Sequence, residues 1–187
     1  KDDIKRLLRN INKAGQTIIH VTHDYGDAIS LAKRVGVIHN GKIIQEGSVD
    51  EVFNNPSNRF VARYAGIRNF FRVEISGVDG SLKGVTKQKV EFKLNGENPG
   101  KDGLFMIKSD SIVLTNEMPV DSGLNRIRGK ISEIIPSEFG MEVTIDAGDL
   151  FYVNILTSDM QKLQLNEEKE VWMSFSAKDV VVVSGTL

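Results

Sequence analysis

The sequence predicts an α/β segment over residues 1–66, followed by an all-β domain over residues 67–187. Two observations support this division. The first 66 residues alternate helical apolar spacing with short β-branched runs, whereas the remainder consists of short alternating runs separated by Gly, Asn, Asp and Ser. With 40% hydrophobic and 26% charged residues, the chain has the composition of a folded globular protein.

Charge balance and residue usage exclude several classes of function. Lys and Arg total 24 and Asp and Glu total 25, so the chain lacks the basic excess of a nucleic-acid-binding protein. Without cysteine there is no disulfide scaffold, thiolate metal site or thiol nucleophile, and we expect no metal site. No apolar run approaches the roughly 20 residues of a membrane span, and no signal peptide is evident. Because the chain begins with Lys1 and not Met, we expect it to be part of a longer protein.

The first 66 residues are predicted to contain helices and three strands. Apolar spacing predicts a helix over residues 2–14, and the β-branched run 16–22 predicts a strand that is buried on both faces. Asn40-Gly41 is typical of a type I′ turn, so residues 35–39 and 42–46 are predicted to form a hairpin. Further helices are expected from Tyr25 to Arg34, from the capping box at Ser48 to about Asn54, and over residues 58–65.

From Phe70 onward, many short strands at close spacing predict a small barrel or sandwich. The strands are expected at residues 71–75, 89–94, 104–108, 141–146, 151–155 and 180–183, with one short helix near 158–163. We place the domain boundary near residue 67 and a weaker one near 118–124. Each half has an early asparagine, Asn69 or Asn125, and a β-branched ending. This pattern suggests a duplication, so the region forms either one barrel or two.

Residues 36–42 match the G-x-x-x-x-G-K spacing of a phosphate-binding loop. However, Ile43 stands where a Ser or Thr would bind Mg²⁺, and a hairpin is predicted where such a loop needs a helix. We therefore expect no phosphate binding by this segment.

His23 stands at the carboxyl end of the predicted strand, where ligands bind in open α/β sheets. A histidine at that position can reach a phosphate or a water molecule. Its spacing alone favours the plainer alternative, a loop histidine that caps the next helix.

A longer set of residues makes the role of His23 more specific. Several segments together resemble the C-terminal part of the ATP-binding subunit of ABC transporters: residues 17–24, Ala28, Ala32, residues 37–47, 51–56 and 60–62, and Gly66. The resemblance implies that His23 is the switch histidine, which contacts the γ-phosphate and helps to position the attacking water. In that family the Walker A loop, glutamine loop, signature sequence, Walker B acids and catalytic Glu come earlier. ATP and Mg²⁺ are therefore expected in the full-length protein, whereas this chain alone should bind no cofactor and be inactive.

Residues 125–131, 155–157, 163–165 and 171–177 carry a second resemblance, to the OB-like TOBE barrels of importer ATPases, with an ending similar to the molybdate-binding Mop type. That family holds its oxyanion with a Ser-Ala-Arg-Asn stretch, a Thr that begins a short helix, and a Lys-Ala-Ser stretch. Ser122, Asn125 and Thr157 keep this pattern, and Lys178 lies two positions beyond the expected Lys. Leu124 and Ser176 replace the Arg and the Lys, so oxyanion binding and a purely structural role both stay open.

The two resemblances imply part of the ATP-hydrolysing subunit of an ABC importer, with regulatory and dimerisation barrels that sense molybdate, tungstate or sulfate. The alternative is a structural dimerisation domain of an importer ATPase for sugar, iron or polyamine; the charge balance disfavours a free-standing oligonucleotide-binding barrel. The implied partners are a second copy of the chain, the transmembrane permease subunits and an oxyanion ligand, without nucleic acid. The implied location is cytoplasmic, on the inner face of the membrane through the permease.

The remaining conspicuous residues are assigned to packing or to the surface. Trp172 lies in a strand-like run and is expected to pack, as is His20 in its strand. His39, beside the predicted turn, is expected to be solvated. A solvated face, and not a nucleic-acid surface, is expected from Lys83, Lys87, Lys89 and Lys93.

Overall fold

The computed structural model describes residues 2–78, 82–95, 100–137 and 140–184. The chain divides into two compact units, Lys1–Ala65 and Gly66–Leu187. Among the described helices, none is both long enough and apolar enough to cross a membrane.

The first unit contains a two-stranded hairpin and short helices. Its elements are α1 (Asp2–Lys13), α2 (Tyr25–Leu31), β1 (Arg34–His39), β2 (Lys42–Ser48), α3 (Val49–Asn54) and α4 (Arg59–Tyr64). Asn40 and Gly41 have φ angles of 48° and 74°, as a type I′ turn requires. Residues 36–42 therefore form a hairpin and not a phosphate-binding loop, as the sequence indicated.

The predicted capping box at the start of α3 is present. The Ser48 hydroxyl accepts a hydrogen bond from the Glu51 N–H at 3.2 Å, and the Glu51 carboxylate accepts one from the Ser48 N–H at 2.8 Å. The cap directs Val52 and Phe53 into a small core with Val37, Val61 and Ala65. Asn58 caps α4 in turn, since its side-chain oxygen accepts from the Phe60 and Val61 N–H groups.

The strand predicted at residues 16–22 is wrong. These residues form no strand, and Ile19 and Val21 are 91% and 87% exposed. A strand that is buried on both faces needs neighbours on both edges, but β1 and β2, the strands of the described first unit, pair with each other. The first unit therefore mixes helices with a hairpin, and no parallel sheet is found in its described residues. Helix α2 also ends earlier than predicted, at Leu31, because Arg34 already begins β1.

The second unit is mostly β. Its strands are β3 (Asn69–Ser76), β4 (Leu82–Thr86), β5 (Glu91–Leu94), β6 (Asp102–Ile107), β7 (Val113–Thr115), β8 (Asn125–Ser137), β9 (Gly140–Asp146), β10 (Leu150–Ile155), β11 (Glu170–Phe175) and β12 (Val180–Ser184). Helix α5 (Thr157–Leu163) follows β10, and short 3₁₀ helices at Ser109–Ser111 and Ala177–Asp179 precede β7 and β12. The predicted strands and the short helix are confirmed, although the strand predicted at residues 89–94 begins only at Glu91. Strands β4 and the long β8 were not anticipated.

The strands form two five-stranded sheets whose last strands are exchanged. Sheet 1 has the order β12-β6-β3-β4-β5, and sheet 2 has the order β10-β9-β8-β11-β7. Strand β7 ends the first half of the unit but pairs with β11, whereas β12 ends the second half but pairs with β6. Each half therefore completes the sheet of the other.

The two sheets share one hydrophobic core. Phe71 of sheet 1 lies 4.6 Å, between ring centroids, from Phe151 of sheet 2, and Phe92 of sheet 1 lies 6.4 Å from Phe175 of sheet 2. Phe105 completes the cluster by stacking on Phe92 at 4.1 Å. The two halves are similar in sequence order, as the early asparagines suggested, but they do not form two separately packed barrels.

Candidate functional site

Asn69, the first residue of β3, ties sheet 1 to the edge of sheet 2. Its side-chain oxygen accepts from the Tyr152 N–H at 2.8 Å, and its side-chain nitrogen donates to the Tyr152 carbonyl at 2.8 Å. The same nitrogen lies 3.4 Å from the Ser109 hydroxyl. Asn69 is fully buried, so its amide replaces the missing strand beside β10.

Asn125, the first residue of β8, makes the corresponding contact in the opposite direction. Its oxygen accepts from the Lys93 N–H at 2.7 Å, and its nitrogen donates to the Lys93 carbonyl at 3.1 Å. It therefore ties sheet 2 to β5, the edge strand of sheet 1. The 3₁₀ helix Ser109–Ser111 packs against β10, and Ala177–Asp179 packs against β5.

These contacts define two related places on the second unit. The β10 site consists of Arg68, Asn69, Lys108, Ser109 and Tyr152. The β5 site consists of Lys93, Leu124, Asn125, Ser176 and Lys178.

The β10 site contains two cationic residues, Arg68 directly before Asn69 and Lys108 directly before Ser109. The Arg68 guanidinium lies 4.0 Å from the centre of the Tyr152 ring and forms an ion pair with the mostly buried Glu142 carboxylate. Lys108 is half-buried and directly precedes the buried Ser109. The ring and the carboxylate together hold the guanidinium in one place.

The residues predicted to bind an oxyanion do not all lie together. Asn125 is hydrogen-bonded to β5, and Lys178 belongs to the 3₁₀ helix that packs on β5. Ser122 is exposed, and its carbonyl accepts a hydrogen bond from the Lys93 ammonium. Thr157 is exposed at the start of α5. Helix α5 follows β10, the strand to which Asn69 is hydrogen-bonded.

A cavity of about 200 Å³ opens at the β5 site. It is lined by Lys83, Glu91, Phe92, Lys93, Leu124, Asn125 and Arg126. Among the described residues, no cluster of three or more His, Asp or Glu side chains could hold a metal ion.

His23 is exposed in the loop before α2. Its neighbours are fixed: the Thr22 hydroxyl accepts from the Asp24 N–H at 3.0 Å, and the Tyr64 hydroxyl donates to the Thr22 carbonyl at 3.0 Å. Burial, together with the Asp24 carboxylate, raises the pKa of Tyr64. Asp24, and not His23, caps α2, because its carboxylate accepts from the Asp27 N–H at 2.9 Å.

The predictions for the other two histidines, His20 and His39, differ in how well they agree with the structure. His20 was expected to pack, and this is wrong, because the segment that carries it forms no strand and the side chain is exposed. His39 is exposed as expected, with its ring 4.0 Å from that of Phe60, centre to centre.

Comparison with known proteins establishes the family. No protein-family model matches the chain. The molybdate/tungstate import ATP-binding protein WtpC of Pyrococcus abyssi is 32% identical over 172 residues, which is 90% of this chain. The spermidine/putrescine import ATP-binding protein PotA of Mesorhizobium japonicum is 31% identical over 157 residues, or 81% of this chain. The chain belongs to the ATP-binding proteins of ABC importers.

The chain spans about half the length of the importer proteins that it matches, 47% of the Pyrococcus abyssi protein and 41% of the Mesorhizobium japonicum protein. A solved structure of the cytoplasmic molybdate-binding protein ModG, with molybdate bound, matches the fold with a TM-score of 0.55 at 14% identity. The match covers 63% of this chain and 96% of the ModG chain. It therefore shows that the mostly β part of the chain has the fold of ModG.

The sequence analysis missed the residues that supply positive charge in the first half of the β unit. Leu124 and Ser176 stand where the family resemblance requires an Arg and a Lys. Arg68 and Lys108 occupy the corresponding places of the first half, since Arg68 precedes the clasping Asn69 and Lys108 follows the last residue of β6. Aligning the two halves residue by residue would have found both cations.

Proposed function

We propose that the chain is part of the ATP-hydrolysing subunit of an ABC importer, and that its β unit is a regulatory domain that binds a tetrahedral oxyanion such as molybdate, tungstate or sulfate. Membership of the importer family and the ModG-like fold support this assignment. The observation that carries it is the β10 site, where Arg68 and Lys108 flank Asn69 and Ser109.

The chemistry of the β10 site fits an oxyanion. Such a ligand needs cations together with hydroxyl or N–H donors in a fixed arrangement. A guanidinium has five N–H donors, so the Arg68 ion pair with Glu142 leaves others for a ligand. The Ser109 hydroxyl, 3.4 Å from the Asn69 amide, adds a further donor. Thr157, after the clasped strand, is a candidate to complete the set.

The charge of the β10 site favours an anion over a polyamine. Relatives of the chain include import proteins for molybdate/tungstate and for spermidine/putrescine. Arg68 and Lys108 outweigh the paired Glu142 carboxylate by one positive charge, so a polyamine, which carries only positive charge, would be repelled. The positive charge therefore supports a tetrahedral oxyanion as the ligand, which is the ligand class expected from the Mop-like residues.

In the full-length protein, the regulatory unit would act on a nucleotide-driven dimer. ATP and Mg²⁺ would bind elsewhere in that protein, because the described residues of the first unit offer no phosphate-binding loop. His23 would approach the γ-phosphate, and permease subunits would hold the dimer at the inner face of the membrane. An oxyanion could regulate import only if it bound one state of the dimer more tightly than the other.

A specific observation favours a second candidate, a structural dimerisation domain. Both hydrogen-bonding groups of Asn69 and of Asn125 are used to hold edge strands. Asn125, which the oxyanion pattern requires as a ligand, therefore already has a structural role. Under this alternative the unit would pair with a second copy and bind no solute.

Calorimetric titration of the chain with molybdate, tungstate and sulfate at low ionic strength tests the proposal. We expect saturable binding that becomes about tenfold weaker in Arg68→Gln and in Lys108→Gln, since each removes a charge-assisted hydrogen bond. Arg72→Gln, which changes an exposed arginine of β3, is the matched control and should not alter the affinity. If no oxyanion binds, or if all variants bind equally, the β10 site is rejected and the structural role is favoured.

A further inference from the structure

Two exposed lysines lie opposite each other on neighbouring strands of sheet 1. Lys83 of β4 lies directly opposite Lys93 of β5. The N–H and carbonyl of Lys93 point away from β4, because both bond to the Asn125 side chain. Lys83 and Lys93 therefore form a non-hydrogen-bonded pair, the kind whose Cα atoms lie only about 4.5 Å apart. Like charges at such a position destabilise a sheet.

A third cation adds to this charge. Arg126 of β8 is half-buried and lines the same cavity as Lys83 and Lys93. Glu91 is the one carboxylate of the lining, so three cations and one anion give a charge of +2. Within the described part of the chain, none of the three cations forms an ion pair. The lining residues thus carry a net positive charge.

Both Lys93 and Arg126 also have hydrogen-bond donors to spare. The Lys93 ammonium donates to the Ser122 carbonyl, and Arg126 donates to the Pro119 carbonyl at 3.1 Å. An ammonium has three donors and a guanidinium five, so each retains donors for a ligand. Those two hydrogen bonds also hold the 119–122 segment beside the cavity.

We propose that this cavity is a second anion site, separate from the β10 site, which binds the phosphoryl group of a small phosphate compound or free phosphate. A dianion would balance the lining charge of +2 and relieve the repulsion between Lys83 and Lys93. A volume of about 200 Å³ exceeds the share of about 30 Å³ that one water molecule takes, so there is room for a phosphoryl group with a short body. Leu124 gives that body an apolar wall.

Titration with inorganic phosphate and with glycerol phosphate, followed by calorimetry and ³¹P NMR at low salt, tests this site. We expect saturable binding to the unaltered chain and about tenfold weaker binding to Lys83→Gln and to Lys93→Gln. Lys87→Gln, an exposed lysine of the turn between β4 and β5 that is outside the lining, is the matched control and should bind normally. Tighter binding of glycerol phosphate would identify an organic phosphate as the ligand class, and equal binding would identify the phosphoryl group alone. No saturable binding of either probe, or equal affinity of the lysine variants, would overturn the proposal.

Thermal unfolding gives a second, independent readout. Without phosphate, Lys83→Gln should melt at a higher temperature than the unaltered chain, because it removes the like-charge pair. Phosphate should raise the melting temperature of the unaltered chain and leave that of Lys83→Gln nearly unchanged. The opposite pattern would mean that the lysine pair is not strained and that no anion relieves it.

Phosphate binding in this cavity is expected to be independent of the β10 site. Arg68→Gln and Lys108→Gln should weaken oxyanion binding at the β10 site and leave phosphate binding intact, whereas Lys83→Gln should do the reverse. Loss of phosphate binding in Lys108→Gln as well as in Lys83→Gln would mean that one shared site exists, which contradicts the proposal.

Discussion

The side-chain amide of Asn69 makes the two hydrogen bonds that a peptide group of a neighbouring strand would make. It meets the N–H and carbonyl of Tyr152, and Asn125 does the same for Lys93. Both amides are buried, so nothing else satisfies these backbone groups when the amide is lost.

Replacing either asparagine by alanine should therefore destabilise the second unit. We expect Asn69→Ala and Asn125→Ala each to lower the free energy of unfolding by about 3 kcal/mol, because buried donors and acceptors lose their partners. Urea unfolding followed by Trp172 fluorescence measures this, since Trp172 is the single tryptophan of the chain. Asn166→Ala, at an exposed asparagine, is the matched control and should change little. If both variants lower the free energy of unfolding by less than about 1 kcal/mol, water replaces the hydrogen bonds of the two asparagines.

The same residues show how far sequence analysis reached at this scale. Asn69 and Asn125 stood out as the early asparagines of two similar halves, and the resemblance suggested a ligand role for Asn125. Their contacts with Tyr152 and Lys93 could not be predicted, because they cross between sheets and depend on which strands form the edges. The opposition of Lys83 and Lys93 was missed for a related reason: it depends on the register of a hairpin whose first strand was not predicted.

At the scale of single elements, the local sequence was sufficient to predict an element whose hydrogen bonds are made among its own neighbouring residues. The Asn40-Gly41 turn and the Ser48–Glu51 capping box were predicted from a few neighbouring residues and are present. The strand predicted at residues 16–22 failed because a strand is completed by its neighbours, and the described first unit supplies none. A β-branched run indicates a preference for strand, but it does not supply a partner.

The α3 cap gives a prediction about pH. The Ser48 N–H, which donates to the Glu51 carboxylate, and then the Ser48 hydroxyl hold the pKa of Glu51 below its usual value of 4.5. A carboxyl whose folded-state pKa is lowered contributes stability that is present above its unfolded value and is lost as the pH falls through the folded value. Glu51→Gln should therefore destabilise α3 at pH 6 and make progressively less difference below about pH 4.5.

Hydrogen exchange of the Val49–Asn54 amides at several pH values measures this difference. Glu46→Gln, which changes an exposed carboxyl of β2 outside the cap, is the matched control, and its effect on α3 should not follow this pH pattern. A difference between Glu51→Gln and the unaltered chain that stays constant from pH 6 to pH 3 would show that the carboxylate does not support the helix.

At the scale of the whole β unit, the exchange of β7 and β12 makes the two halves depend on each other. Strand β12 adds to β6 of sheet 1, and Val180 and Val182 pack against the core that both sheets share. Sheet 2 contains Trp172 but has no direct pairing with β12. The fluorescence of Trp172 therefore reports whether damage to sheet 1 reaches sheet 2.

Truncation of the chain after Ser176 should destabilise both sheets, and not sheet 1 alone. Removing the two valines and the paired strand should cost about 3 kcal/mol or more, which lowers the urea midpoint by about 1–2 M. We expect the Trp172 transition and the circular dichroism transition of the β unit to move together, because Phe71, Phe92 and Phe151 join the sheets in one core. Removing residues 1–13 is the control, since α1 belongs to the first unit and contributes nothing to that core. If Trp172 still reports the original midpoint after β12 is removed, the sheets fold independently despite the exchanged strands.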